Sequence, residues 1–150
     1  MATLFGRPLW HSQPNVISFS LDGGDASKQI FDIYSFCHIS SGVMLFFVFR
    51  FLHVKFALGL CLTIIVCILF EIFENNTHFI NKYKKKYSKY DGDSIANIIG
   101  DIICGILGYI FAFQYSRLSI VYLILVEILL YPYKASALQL SVCNLVPVCY

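Results

Sequence analysis

Four apolar runs, at residues 33–52, 56–73, 94–113 and 118–133, constrain this chain more than any other feature. A helix needs ~20 mostly apolar residues to cross ~30 Å of hydrocarbon, and each run is near that length. In lipid the backbone must satisfy its own hydrogen bonds, so helices are the economical form for such runs. The fourth run is the shortest and suits a tilted or partly embedded helix. The expected fold is therefore all-α, an integral membrane bundle of about four transmembrane helices.

Composition decides against a water-soluble alternative. Hydrophobic residues make up 58% of the 150 and charged residues 13%, with a mean hydropathy of +0.71. Soluble domains carry about 25% charged residues, and a chain this short cannot hide so much apolar surface. The partner expected is a lipid bilayer, with lipid headgroups as its chemical class. The net charge of +2 gives no electrostatic footprint for nucleic acid. Residues 1–10 lack an apolar core of signal-peptide length, and Pro8 interrupts them. The six cysteines follow neither a disulfide nor a zinc spacing. Cys37, Cys61, Cys67 and Cys104 fall in apolar runs, where a thiol behaves as a small hydrophobe. Cys143 and Cys149 lie in the tail, where nothing specific supports acylation.

Three segments are expected. Residues 1–30 form an extramembrane N-terminal segment punctuated by Pro8, Pro14, Gly23 and Gly24. Residues 31–133 form the four-helix transmembrane domain, and 134–150 an apolar interfacial tail broken by Pro147. The first and last turns are tight, so the helices they join should be antiparallel neighbours. The 74–93 connection carries NKYKKKYSKY, whose lysines and tyrosines suit headgroup level. Arg7, Lys28, Lys82, Lys84, Lys85, Lys86, Lys89 and Lys134 fall on one side, and Arg50, Lys55 and Arg117 on the other. By the positive-inside rule both termini are then cytoplasmic.

Alternating spans bring the polar residues together. His38 lies near the start of the first run; Glu71, Glu74 and Asn75 at the end of the second; Asp93, Asn97 and Asp101 at the start of the third; Glu127 late in the fourth. All belong to one leaflet, whichever side is inside. Glu71, Glu74, Asn75 and His78 share a helix face, as do Asp93, Asn97 and Asp101. Asp93 is expected to cap the third helix. Gly100, Gly105 and Gly108 permit close helix approach.

Several carboxylates in one low-dielectric place cannot all stay charged and unpaired. Protons, loop lysines or a divalent metal ion must neutralise them. His38, Glu71, Glu74 and Asp101 are the candidate metal ligands and equally the candidate catalytic acids and bases. Asn75, Asp93 and Asn97 are candidate binding residues. The alternative is a structural or assembly protein whose polar cluster only fixes helix packing. His11, His53 and His78 read as surface or interface residues. Ser41 beside His38 lacks the histidine–acid pair a nucleophile needs. Neither an HExxH motif nor a Gly-rich phosphate loop is present.

The blocks DIYSFCHISSG, LFEIFENN, NKYKKKYSKYDGDSIANIIGD and LQLSVCNLVP resemble, in the same order, an uncharacterised bacterial family of multi-pass membrane proteins carrying only UPF or domain-of-unknown-function labels. The GDSIAN…GD stretch around Asp93, Asn97 and Asp101 is the most specific block. Glu71 with Glu74-Asn75 comes next, then Tyr34-Ser35 and His38. A more distant similarity is to VanZ-like membrane proteins. The resemblance implies a membrane fold and brings no catalytic assignment.

Overall fold

The computed structural model describes residues 3–4, 7–8, 17, 28–77, 80 and 92–131. Four helices run in the expected order: α1 (Ser35–Phe51), α2 (Phe56–Glu74), α3 (Ile95–Gln114) and α4 (Ser116–Leu130). Ahead of them, β1 (Thr3–Leu4) pairs antiparallel with β2 (Arg7–Pro8), Thr3 opposite Pro8. Ile17 makes an isolated parallel bridge to Phe31. The 134–150 tail and the lysine-rich part of the 74–93 connection lie outside the described residues.

The expectation of four spans is met only in part. α2, with 19 residues, and α3, with 20, are long and apolar enough to cross a membrane. α1 has 17 residues and α4 has 15, rising about 26 Å and about 23 Å at 1.5 Å per residue. Both fall short of ~30 Å.

The most extensive helix contact joins α1 to α3, with α2 and α4 also packed on α3. Missing side chains make it possible. Gly42 of α1 lies against the Gly105 carbonyl, and Gly108 lies against the Ile39 carbonyl, a small-residue seam that lets two backbones meet. Next to the seam, Val43, Phe46, Tyr109 and Ala112 form an apolar core. Phe46 meets Tyr109 edge to face and Phe56 meets it at a tilt, with ring centroids 5.6 and 5.8 Å away. Tyr122 of α4 pins α1 by donating to the Phe36 carbonyl at 2.9 Å.

Both short turns lie at the aromatic end. His53, exposed and with φ 55°, reverses the chain between α1 and α2. Tyr115 alone separates α3 from α4. The Arg50 guanidinium of α1 donates to Ser116 Oγ of α4 at 3.2 Å across this end. The opposite end of the bundle is left to the starts of α1 and α3 and the ends of α2 and α4.

Candidate functional site

That opposite end begins with a turn. The Asp32 carboxylate accepts from the backbone N–H groups of Tyr34 (2.7 Å) and Ser35 (3.2 Å), and Ser35 Oγ accepts from Asp32 N at 3.1 Å. This reciprocal pair resembles a capping box and closes the turn through residues 33–34 that leads into α1, whose N-cap is Tyr34. Ser35 Oγ then donates to Asp101 Oδ1 of α3 at 3.0 Å. Asp101 lies in the second turn of α3 and is buried.

One helical turn beyond Ser35, the His38 imidazole stands between two carboxylates. Its Nδ1 is 3.7 Å from Glu71 Oε1 and its Nε2 is 3.6 Å from Asp101 Oδ2. Glu71 and Asp101 therefore address opposite sides of the ring. Phe70 closes an edge of it, with centroids 5.7 Å apart. Glu71 accepts from the Asn75 amide at 3.4 Å. That amide also donates to Asp93 Oδ2 at 2.7 Å, while Asn75 Oδ1 accepts from Asp93 N at 3.0 Å. A polar chain thus runs Asp32–Ser35–Asp101–His38–Glu71–Asn75–Asp93 through three elements. Asp101 also lies within the electrostatic reach of Asp32, Asp93 and Glu74.

His38, Glu71 and Glu74 each offer a donor atom, and these atoms lie within 4.8 Å of one another. Ligand atoms about 2.4 Å from a common ion stand at most about 4.8 Å apart, the range of calcium–oxygen bonds. Smaller ions with bonds near 2.1 Å need those atoms to close by a few tenths of an ångström. An imidazole with two carboxylates suits manganese, iron or zinc as well as harder ions.

The residues expected at the site have separate fates. His38, Glu71, Glu74 and Asp101 converge, but Asp101 reaches His38 Nε2 from the side away from Glu71 and is not in the group of three. Asn75 is engaged with Glu71 and Asp93. Asp93 was expected to cap α3; Ser94 does so instead, its Oγ accepting from Asn97 N at 3.2 Å. With its carboxylate bonded to Asn75, Asp93 occupies the approach to the helix rather than its first position. Glu127 sits next to Val126, which packs with Cys37, Ile33 and Leu130 at this same end. His53 is exposed at the other end; His11 and His78 lie outside the described residues. Cys37, Cys67 and Cys104 are buried free thiols and Cys61 is exposed.

Asp32 and Gln29, both buried, were not anticipated. The D-x-x-S spacing of Asp32 and Ser35 is a legible turn signal. Gln29 carries no such signal.

Comparison with known proteins places the chain. It is 33% identical over 90 residues to a UPF0314 protein of Brucella anthropi, covering 57% of this chain and 46% of that protein. It is 31% identical over 108 residues to a UPF0314 protein of Sphingopyxis alaskensis, covering 69% of this chain and 54% of that one. The chain thus spans about half the length of these curated relatives. No solved structure matches. Neither relative bears on the likeness to VanZ-like proteins. A family model described as "Protein of unknown function (DUF2585)" matches residues 4–149. The chain belongs to this DUF2585 family.

Proposed function

We propose that this is a multi-pass integral membrane protein whose helix bundle holds a divalent cation at His38, Glu71 and Glu74, at the level of lipid headgroups. The observation that carries the reading is the convergence of those three donors within 4.8 Å, inside a bundle whose outer surface is apolar. Asp32, Ser35, Glu71, Asp93, Asn97 and Asp101 are buried, whereas Ile65, Leu69, Ile103, Leu107, Ile124 and Ile128 are exposed. Water-soluble proteins bury the second set and expose the first. Most residues of α2 and more than half of those of α3 are not buried, which argues against core helices of a soluble domain. The short helices α1 and α4 fit tilted or partly embedded positions beside them.

Charge supports a cation. Asp32, Glu71, Glu74, Asp93 and Asp101 gather five carboxylates at one end, where Lys28 and His38 are the basic residues among those described. Burying such a set uncompensated costs several kcal/mol per ion. In this reading His38 ligates through Nδ1, the nitrogen on the Glu71 side. Asp101 accepts the Nε2 proton and orients the ring, the arrangement common to metal-bound histidines. Such an ion can polarise an oxygen of a lipid headgroup for hydrolysis or transfer.

The continuous polar chain from Asp32 to Asp93 favours a second reading, in which these groups only hold the helices together. Elemental analysis of the detergent-purified protein separates the two, with a Glu71→Gln, Glu74→Gln variant alongside. Near-stoichiometric metal in the wild type, lost in the variant, is the expected result. Absence of metal from both, with both equally well folded, would leave the packing role as the better account.

A further inference from the structure

Among the described residues, two buried polar atoms at this end have no hydrogen-bond partner: Gln29 Oε1 and Asn97 Nδ2. Their residues are 6% and 1% exposed, so bulk water does not relieve either one. Native proteins rarely leave buried polar groups unpaired, and each exception calls for an explanation.

Position relates the two atoms to each other and to the acidic cluster. Asn97 is buried in the first turn of α3, one helical turn before Asp101 on the same inward face. In sequence it stands between the cap Ser94 and Gly100. Those two residues carry the segment around Gln29: Ser94 Oγ donates to the Lys28 carbonyl at 3.2 Å, and the Ile30 carbonyl rests on Gly100. Residues 28–30 therefore lie along the start of α3, with Gln29 between the two contacts and Asn97 between the two residues that make them.

The chemistry of the pair is specific. Asn97 Nδ2 needs an acceptor, and Gln29 Oε1 needs a donor. A hydroxyl group is both at once. A phosphate or carboxylate offers only acceptors; it would leave Gln29 Oε1 facing another oxygen and would meet the surrounding carboxylates. An ammonium group offers only donors and would leave Asn97 unsatisfied.

We infer that the side-chain amides of Gln29 and Asn97 flank a subsite for a neutral hydroxyl group beside the acidic cluster, one that takes a polyol or sugar headgroup. This names the ligand class for the headgroup reading above and rests on that reading for a membrane source of the ligand. The amides themselves belong to neither the cation donors nor the polar chain.

The test titrates the purified full chain in detergent and reads binding by native mass spectrometry. The probes are a monoglucosyl diacylglycerol, phosphatidic acid and phosphatidylcholine with the same acyl chains, and free glucose. The glucolipid should bind in preference to both phospholipids. Gln29→Leu and Asn97→Leu should each weaken it about tenfold, the scale of one lost hydrogen bond, with metal content unchanged. Each variant also removes the second amide atom of its side chain, so thermal unfolding measured beside binding is the control for folding. Gln29 precedes α1, so Gln29→Leu tests the subsite without altering a helix. Free glucose binding with the same dependence on both amides would support the subsite and assign it to a soluble polyol. Preference for phosphatidic acid, or glucolipid binding that ignores both substitutions, would overturn the inference. Glucolipid binding no better than phosphatidylcholine would also overturn it, leaving water between the amides. Metal-free protein with amide-dependent binding would refute the cation reading alone; metal-loaded protein with amide-independent binding would refute this one alone.

Discussion

Replacing Asp101 by asparagine should weaken cation binding without unfolding the protein, and the geometry says why. The new side chain is nearly isosteric, and its oxygen would keep the 3.0 Å bond from Ser35 Oγ. Its amide nitrogen would then take the place of Oδ2, 3.6 Å from His38 Nε2. Two donors cannot share that contact, so Nε2 becomes the acceptor and the imidazole proton moves to Nδ1. Nδ1 is the nitrogen on the Glu71 side, 3.7 Å from Oε1, where the ligand lone pair is needed. Loss of an orienting carboxylate of this kind typically costs 10–100-fold in metal affinity, about 1.4–2.7 kcal/mol. Chelator competition on wild type and variant in the same detergent measures the ratio, with thermal unfolding of the metal-free forms as the control for folding. Equal affinities would refute the assignment of Asp101 as the orienting group. A variant that fails to fold would show instead that the carboxylate holds α1 to α3.

Further outcomes follow from packing and exposure. Gly42→Ala places a methyl group against the Gly105 backbone, which cannot yield without separating α1 from α3. It should destabilise by about 1–3 kcal/mol, read as a lower thermal midpoint. Gly59→Ala meets the hydroxyl end of Tyr109. That end can turn aside at the expense of its 3.4 Å bond to the Phe56 carbonyl, so a smaller loss is expected in the same assay. Ile65 is 52% exposed in the middle of α2. If lipid surrounds it, Ile65→Arg should cost ~2.5–3.5 kcal/mol of insertion free energy and lower the membrane-integrated fraction. In water an exposed substitution of this kind stays within about 0.5 kcal/mol, and unchanged integration would count against the membrane reading.

The sequence carries the bundle well because apolar runs and their polar breaks have the lengths of helices and turns. It also carries the gathering of acids at one end, since alternating helices leave no other place for Glu71, Asp93 and Asp101. Boundaries are less legible. α4 begins at Ser116 rather than near residue 118, because a single residue, Tyr115, suffices to turn the chain. Ser94 displaces Asp93 as the cap of α3 because a residue eighteen positions earlier, Asn75, claims the aspartate carboxylate, and a local capping rule does not register such a partner. The segment ahead of α1 reads as an extramembrane loop because no period runs through it. Folding nevertheless lays residues 28–30 on α3 and buries Gln29 and Asp32. Tertiary contact of that kind leaves no periodic trace. The division of labour between Glu71 and Asp101 about the imidazole is likewise a matter of ring orientation, which spacing does not encode.

Pulsed electron paramagnetic resonance of bound Mn2+ tests the central claim most directly. In lipid-reconstituted wild-type protein, one Mn2+ per chain should show the nitrogen coupling of a single coordinated imidazole. His38→Asn should abolish that coupling, and Glu71→Gln, Glu74→Gln should abolish the bound ion. Mn2+ held without nitrogen coupling in the wild type, or no bound Mn2+ in a well-folded sample, would contradict a cation site at His38, Glu71 and Glu74.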